Sequence, residues 1–145
     1  MELYGHVWNH EGYGLKLDGE ELWEYKKLIQ TLHPDITWIY EEDDSYQGEF
    51  FACGFGKDEW WYFIQGWFGS CSGCDWLQGV SSEEDIRELL TYYKKVVIAK
   101  EYKSEIISYM NYTLQNVGYD AKKTLSKLIE KVQNFDKTVK EEKEC

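Results

Sequence analysis

The chain has 145 residues, 43% hydrophobic and 17% aromatic, with a formal net charge of −11 at pH 7. That length supports one domain, residues 1–145, with a single core. The acidic balance argues against direct nucleic-acid binding, because it repels phosphate, and no apolar run approaches the ~18 residues of a membrane span.

The N-terminus is acidic and interrupted by Gly and His, unlike a signal peptide, so a soluble cytoplasmic protein is expected. Cys53, Cys71, Cys74 and Cys145 are too few and too irregular for a secreted disulfide scaffold. The charge is unevenly spread. Residues 1–80 hold 15 Asp and Glu against 4 Lys, whereas residues 81–145 hold 12 acidic and 12 basic residues. All seven Trp lie between Trp8 and Trp76. An acidic, aromatic first part (1–80) is therefore joined to a neutral, Lys-rich helical part (81–145).

In chain order, Leu3 to Trp8 reads as a short strand, broken by Gly12 and Gly14. Asp18 with Glu21 has the spacing of a capping box and predicts a helix through Leu22, Trp23, Lys26, Ile29 and Leu32 or His33, ended by Pro34. Ile36–Tyr40, Glu49–Phe55 and Glu59–Phe68 are β-branched or aromatic and predict strands of an antiparallel meander. Glu41, Glu42, Asp43 and Asp44 between the first two read as a solvated turn. From Ser81 the period changes. Ser81 or Ser82, followed by Glu84 or Asp85, starts a second helix. Ile86, Leu89, Leu90, Tyr93, Val97, Ile106 and Met110 fit one side of a long helix that bends near Val96–Ile98 and stops at Gly118. Leu125, Leu128, Ile129, Val132, Phe135 and Val139 form a further amphipathic stripe. The expectation is an α+β fold: an antiparallel sheet, one N-terminal helix and a C-terminal hairpin of long helices.

The one compact constellation with chemistry in it is Cys71-Ser72-Gly73-Cys74. Two sulfurs on a tight turn can hold a metal, form a small disulfide or expose a thiol. Zinc wants about four ligands, and His6, His10 or Cys53 are the available additions. A second Cys-x-x-Cys is absent, and His6 and His10 on one strand would stand roughly 13 Å apart. Gly79 interrupts the helix that a thioredoxin-like motif needs. A cysteine nucleophile would need His6, His10 or His33 as its base. The simplest reading has both thiols packing as small apolar groups, with no cofactor.

The run Glu41–Asp44 lacks the spacing of a calcium loop. Pro34-Asp35 opens a nuclease-like pattern, but no acidic-x-Lys follows, since Glu49 precedes Phe50-Phe51. The aromatic run around Trp60 and Trp61 could stack bases, yet base stacking comes with a basic groove. Exposed members of that run would instead anchor a protein interface.

Residues 66–77, Gly-Trp-Phe-Gly-Ser-Cys-Ser-Gly-Cys-Asp-Trp-Leu, resemble a signature of small proteins of phages and other mobile elements. No activity attaches to that signature, so no catalytic role carries over. The composition is similar to that of acidic anti-CRISPR proteins and other DNA mimics. The resemblance implies a viral-type host-defence antagonist, and the acidic, aromatic first part is expected to occupy a basic surface on a host protein. Glu41, Glu42, Asp43 and Asp44 would supply charge, and Trp60 or Trp61 anchor area. The alternatives are a metal or thiol protein centred on Cys71 and Cys74, and an assembly protein that self-associates through its C-terminal helices.

Overall fold

A computed structural model describes residues 6–9, 12–17, 20–22, 24–45, 47–69, 75–77, 79–80 and 82–135. Three short strands come first: β1 (His6–Asn9), β2 (Gly12–Leu17) and β3 (Glu20–Leu22), paired antiparallel in the order β1-β2-β3. Leu17 stands opposite Glu20, so the sequence between them is Asp18-Gly19. Asp-Gly between two alternating segments is also a hairpin signal. Here that pairing wins over the capping-box spacing, and the first helix begins later than expected. It is α1, Tyr25–Leu32, whose Tyr25, Leu28, Ile29 and Leu32 are all buried at helical intervals. Pro34 ends it as expected, with the His33 N–H bonded to the Ile29 carbonyl.

The main sheet has four antiparallel strands in the order β4 (Ile36–Glu42), β5 (Gly48–Gly56), β6 (Trp61–Phe68) and β7 (Ile98–Lys100). Helices cover both of its faces. Alternate residues of β5 therefore enter opposite cores. Phe50 packs with α1 and with α2 (Glu83–Lys95), while Phe51 and Cys53 pack with α3 (Lys103–Leu114) and α4 (Tyr119–Asn134). A strand buried on both sides reads as a continuous apolar run, as Phe50-Phe51-Ala52-Cys53 does. Burying each large side chain here stabilises the fold by roughly 1.5–3 kcal/mol.

Gly66 lets one core close. A Cβ there would stand 2.3 Å from the Phe50 ring and 2.8 Å from the Tyr93 hydroxyl. Phe50 stacks instead on Tyr25 and Tyr40, with ring centroids 5.0 and 5.5 Å away.

Ser82 caps α2 as its sequence signature predicts, accepting the Asp85 N–H at 3.1 Å. The single long helix does not form. Residues Val96–Ile98 are β-branched, and Ile98–Lys100 add a fourth strand to the edge of β6, opposite Trp61–Phe63. Strand pairing on an open edge outweighs helical continuity there. The chain then resumes as α3, with Glu105 reaching back to the Tyr102 N–H at 3.0 Å. The C-terminal hairpin is thus α3 and α4, joined near Gly118, which precedes α4. Leu125, Leu128, Ile129 and Val132 are buried as expected, and Val139 lies outside the described residues. The fold is α+β. Among the described residues no helix is long and apolar enough to cross a membrane.

Candidate functional site

The sheet separates the two groups expected to bind together. β4 runs from Ile36, opposite Gly56, to Glu42, opposite Phe50. The acidic run therefore lies at one end of the sheet and the β5–β6 turn with Trp60 at the other, roughly 20 Å apart at ~3.4 Å per residue. The acidic run is also divided. Glu41 bonds the Lys131 ammonium on α4 at 3.1 Å. Glu42 and Asp44 are exposed. Asp43 is not solvated but buried. Its Oδ2 accepts the Glu49 N–H at 3.0 Å, and its Oδ1 accepts the Thr124 hydroxyl. Gly48 leaves room for this carboxylate, since a Cβ there would lie 2.5 Å from Oδ2. Asp43 thus ties the β4–β5 hairpin to α4. A carboxylate that accepts several hydrogen bonds can replace its lost water, which is why burial is tolerated.

Trp61 is likewise a core residue rather than an exposed anchor, only 7% exposed. Its ring packs at 5.0 Å from Phe55 and edge-on to Phe135 at 5.9 Å. Trp60 is 41% exposed. It stands on the rim of a groove of about 920 Å³ between the β5–β6 turn, the start of α3 and the end of α4.

Local chemistry fixes this rim. The Gly56 N–H donates to the Trp60 carbonyl at 2.9 Å, and Glu59 N–H to the Gly56 carbonyl at 2.9 Å. Asp58 accepts the Trp60 N–H at 3.0 Å and the Tyr62 hydroxyl. The Tyr62 bond first, then the Trp60 N–H, holds the Asp58 carboxyl below its usual range. Burial and then Asp58 push the Tyr62 hydroxyl up to about 12. Glu59 has φ 70°, a left-handed conformation that costs a non-glycine residue roughly 1–2 kcal/mol. Across the groove Tyr102 is 62% exposed, its backbone fixed by the Glu105 bond.

Three carboxylates line the groove, Asp58, Glu59 and Glu101, against one ammonium, Lys103. That ammonium is committed. It donates to the carbonyls of Gln133 and Phe135 at 3.1 and 2.9 Å, satisfying the C-terminal end of α4. It also lies 5.8 Å from the centre of the Trp61 ring. The groove thus presents net negative charge and two exposed rings. A second exposed pair, Trp67 and Tyr92, borders a smaller pocket of about 240 Å³. Its Glu49 and Gln65 are bonded to each other at 3.0 Å.

Most of the thiol and histidine candidates fall outside the described side chains. Cys71, Cys74 and His10 lie outside the described residues, and His6 is placed only as part of the β1 backbone. Cys53 is buried in the centre of the sheet, and burial pushes its thiol up to about 12. It is therefore neither a thiolate ligand nor a nucleophile near neutral pH. His33 is half-buried, with Nε2 3.0 Å from the Tyr93 carbonyl. A carbonyl only accepts, so Nε2 carries the proton. Burial lowers the imidazole pKa below its ordinary value, and Lys94 adds to this, despite the carbonyl bond. Among the described residues no group of three His, Cys, Asp or Glu side chains could hold a metal ion.

Asp75 is a residue that sequence reasoning passed over. It is buried, and accepts the Tyr25 hydroxyl at 2.8 Å and the Gly69 N–H at 2.9 Å. The Tyr25 oxygen in turn accepts the Leu77 N–H at 2.8 Å. The carboxylate thereby ties Gly69 to Asp75, the two flanks of the segment carrying Cys71 and Cys74. The available signal was its isolation, because no other charged residue occurs between Glu59 and Glu83.

Compared with protein-family models, curated proteins and solved structures, the chain matches none.

Proposed function

We propose that this is a binding protein whose groove beside Trp60 and Tyr102 occupies a basic surface on a partner protein. One observation carries the reading. Two exposed rings share a groove with three carboxylates, and its one ammonium is spent on the end of α4. Exposed aromatics supply anchor area, and the carboxylates steer a positive partner toward it. The left-handed Glu59 supports the same reading. A glycine would be cheaper at that φ, yet the position keeps a carboxylate on the rim. The resemblance of residues 66–77 to proteins of phages and mobile elements is the ground for placing the partner in a host cell. A host-defence antagonist of the anti-CRISPR kind fits that composition.

The test compares the two ends of the sheet. A partner is first obtained by affinity capture from host lysate. Its association rate is then measured for the parent, for Asp58→Lys with Glu101→Lys, and for Glu42→Lys with Asp44→Lys. The first pair should slow association at least about tenfold at low salt, with the difference shrinking as salt rises. Slowing only by the second pair would move the site to the β4–β5 end.

A further inference from the structure

We infer that the groove takes a cationic side chain of an extended protein segment, arginine in preference to lysine, held between the rings of Trp60 and Tyr102. This rests on the groove being the binding surface and names what that surface recognises. Four features lead to it.

The rings are exposed on backbone that is held in place. The Trp60 backbone is set by the Gly56 bond to its carbonyl and the Asp58 bond to its N–H, and the Tyr102 backbone by the Glu105 cap. A preset backbone leaves only side-chain torsions to order on binding, which lowers the cost of contact. Both line one groove, so a guest seated in it can meet both rings. The surrounding charge is negative, from Asp58, Glu59 and Glu101. It excludes phosphates and disfavours a purely apolar guest. Finally, the groove already holds one cation over an indole, the Lys103 ammonium at 5.8 Å from the Trp61 ring. The same chemistry is thus repeated on its floor and available on its rim.

Arginine fits better than lysine because its planar guanidinium stacks on a ring while its N–H groups reach carboxylates, and it is less strongly hydrated. The volume, about 920 Å³, exceeds the need of one side chain. Pockets of roughly 300–1,000 Å³ enclose whole drug-sized ligands, so several residues of an extended segment fit.

The experiment titrates the full chain by calorimetry with nine-residue Gly/Ser peptides. They carry three arginines, three lysines, three citrullines or three norleucines. The arginine peptide should bind most tightly, the lysine peptide second, and the other two at least about tenfold more weakly. Trp60→Ala and Tyr102→Ala should each weaken arginine binding roughly three- to thirtyfold, and Trp60→Phe should restore most of it. Circular dichroism must show both alanine variants folded as the parent, as their exposure predicts.

Equal binding of the arginine and citrulline peptides overturns the proposal, as does indifference to both alanine changes. If no peptide binds while the captured partner still depends on Asp58 and Glu101, ring insertion is wrong and the basic-surface reading stands. If the arginine peptide binds as described but the partner ignores Asp58 and Glu101, the inference stands and that reading falls. Binding that appears only after residues 136–145 are deleted would make the occupant this chain's own segment. Self-association abolished by Trp60→Ala would make it a second copy. Either result overturns the assignment to a partner.

Discussion

Asp75 shows how much a single buried charge can hold. Its two oxygens accept from Tyr25 and Gly69, and Tyr25 relays to Leu77. Removing the carboxylate leaves buried donors without their acceptor, which costs more than the bonds contribute net. Asp75→Ala should lower unfolding stability by about 2–5 kcal/mol in urea titration. Tyr25→Phe removes the relay alone and should cost about 1–3 kcal/mol. A loss below about 1 kcal/mol for Asp75→Ala would show that the carboxylate does not organise this core. Gly66 acts by absence in the same core. Gly66→Ala drives a methyl into Phe50 at 2.3 Å and should cost about 1–3 kcal/mol. Phe50→Leu removes the struck atoms, so the double variant should lose less than the sum of the singles.

Among the elements, α1 and α2 are joined at their C-terminal ends by His33. Its Nε2–H bonds the Tyr93 carbonyl, while burial holds the imidazole pKa below its ordinary 6.5. The unfolded chain therefore binds a proton more readily than the folded one. Stability should be complete above the ordinary histidine range and fall as pH drops through it toward the lower folded value. Lys94 and the helix-end carbonyl face the ring with opposite effects, Lys94 lowering its pKa and the carbonyl bond raising it. The urea midpoint followed from pH 8 to pH 5 should decline in the parent and decline less in His33→Gln. Equal slopes would remove His33 as the cause. Asp58 acts with the same sign, at lower pH. Its lowered pKa contributes stability above the ordinary carboxylate range, lost only as pH falls through the folded value.

At the scale of the molecule, the sheet is shared by two cores. Phe50 and Phe51 are neighbours in sequence yet face different helix pairs, so neither core can loosen without disturbing β5. Leu28→Ala on one side and Leu128→Ala on the other should each cost about 2–5 kcal/mol and leave one cooperative transition. Coincident melting curves by far-ultraviolet circular dichroism and tryptophan fluorescence check this. Separate transitions would mean two independent halves. Charge is organised on the same scale: among the described side chains, the carboxylates of the acidic half do not form one continuous face. Glu41 is paired with Lys131, Asp43 is buried, and the groove carboxylates stand at the far end of the sheet.

Local patterning by itself determined the fold class, the three strands between residues 36 and 68, the Ser82 cap and the buried stripe of α4. Each rests on neighbours along the chain, where side-chain period and capping chemistry act directly. The exposed Trp60 was legible as a possible anchor, but not which of the two adjacent Trp faces outward. That depends on strand parity and on what covers each face, and Phe135 and Phe55 cover Trp61. Tertiary structure alone decided the start of α1, the break between α2 and α3, and the fate of the acidic run. Asp18-Gly19 serves a hairpin as well as a helix start. Residues 98–100 become a strand because β6 offers an unpaired edge. Asp43 is buried because Thr124, far along the chain, supplies its donor. In each case two local readings lie within about a kcal/mol of each other, and long-range pairing chooses between them.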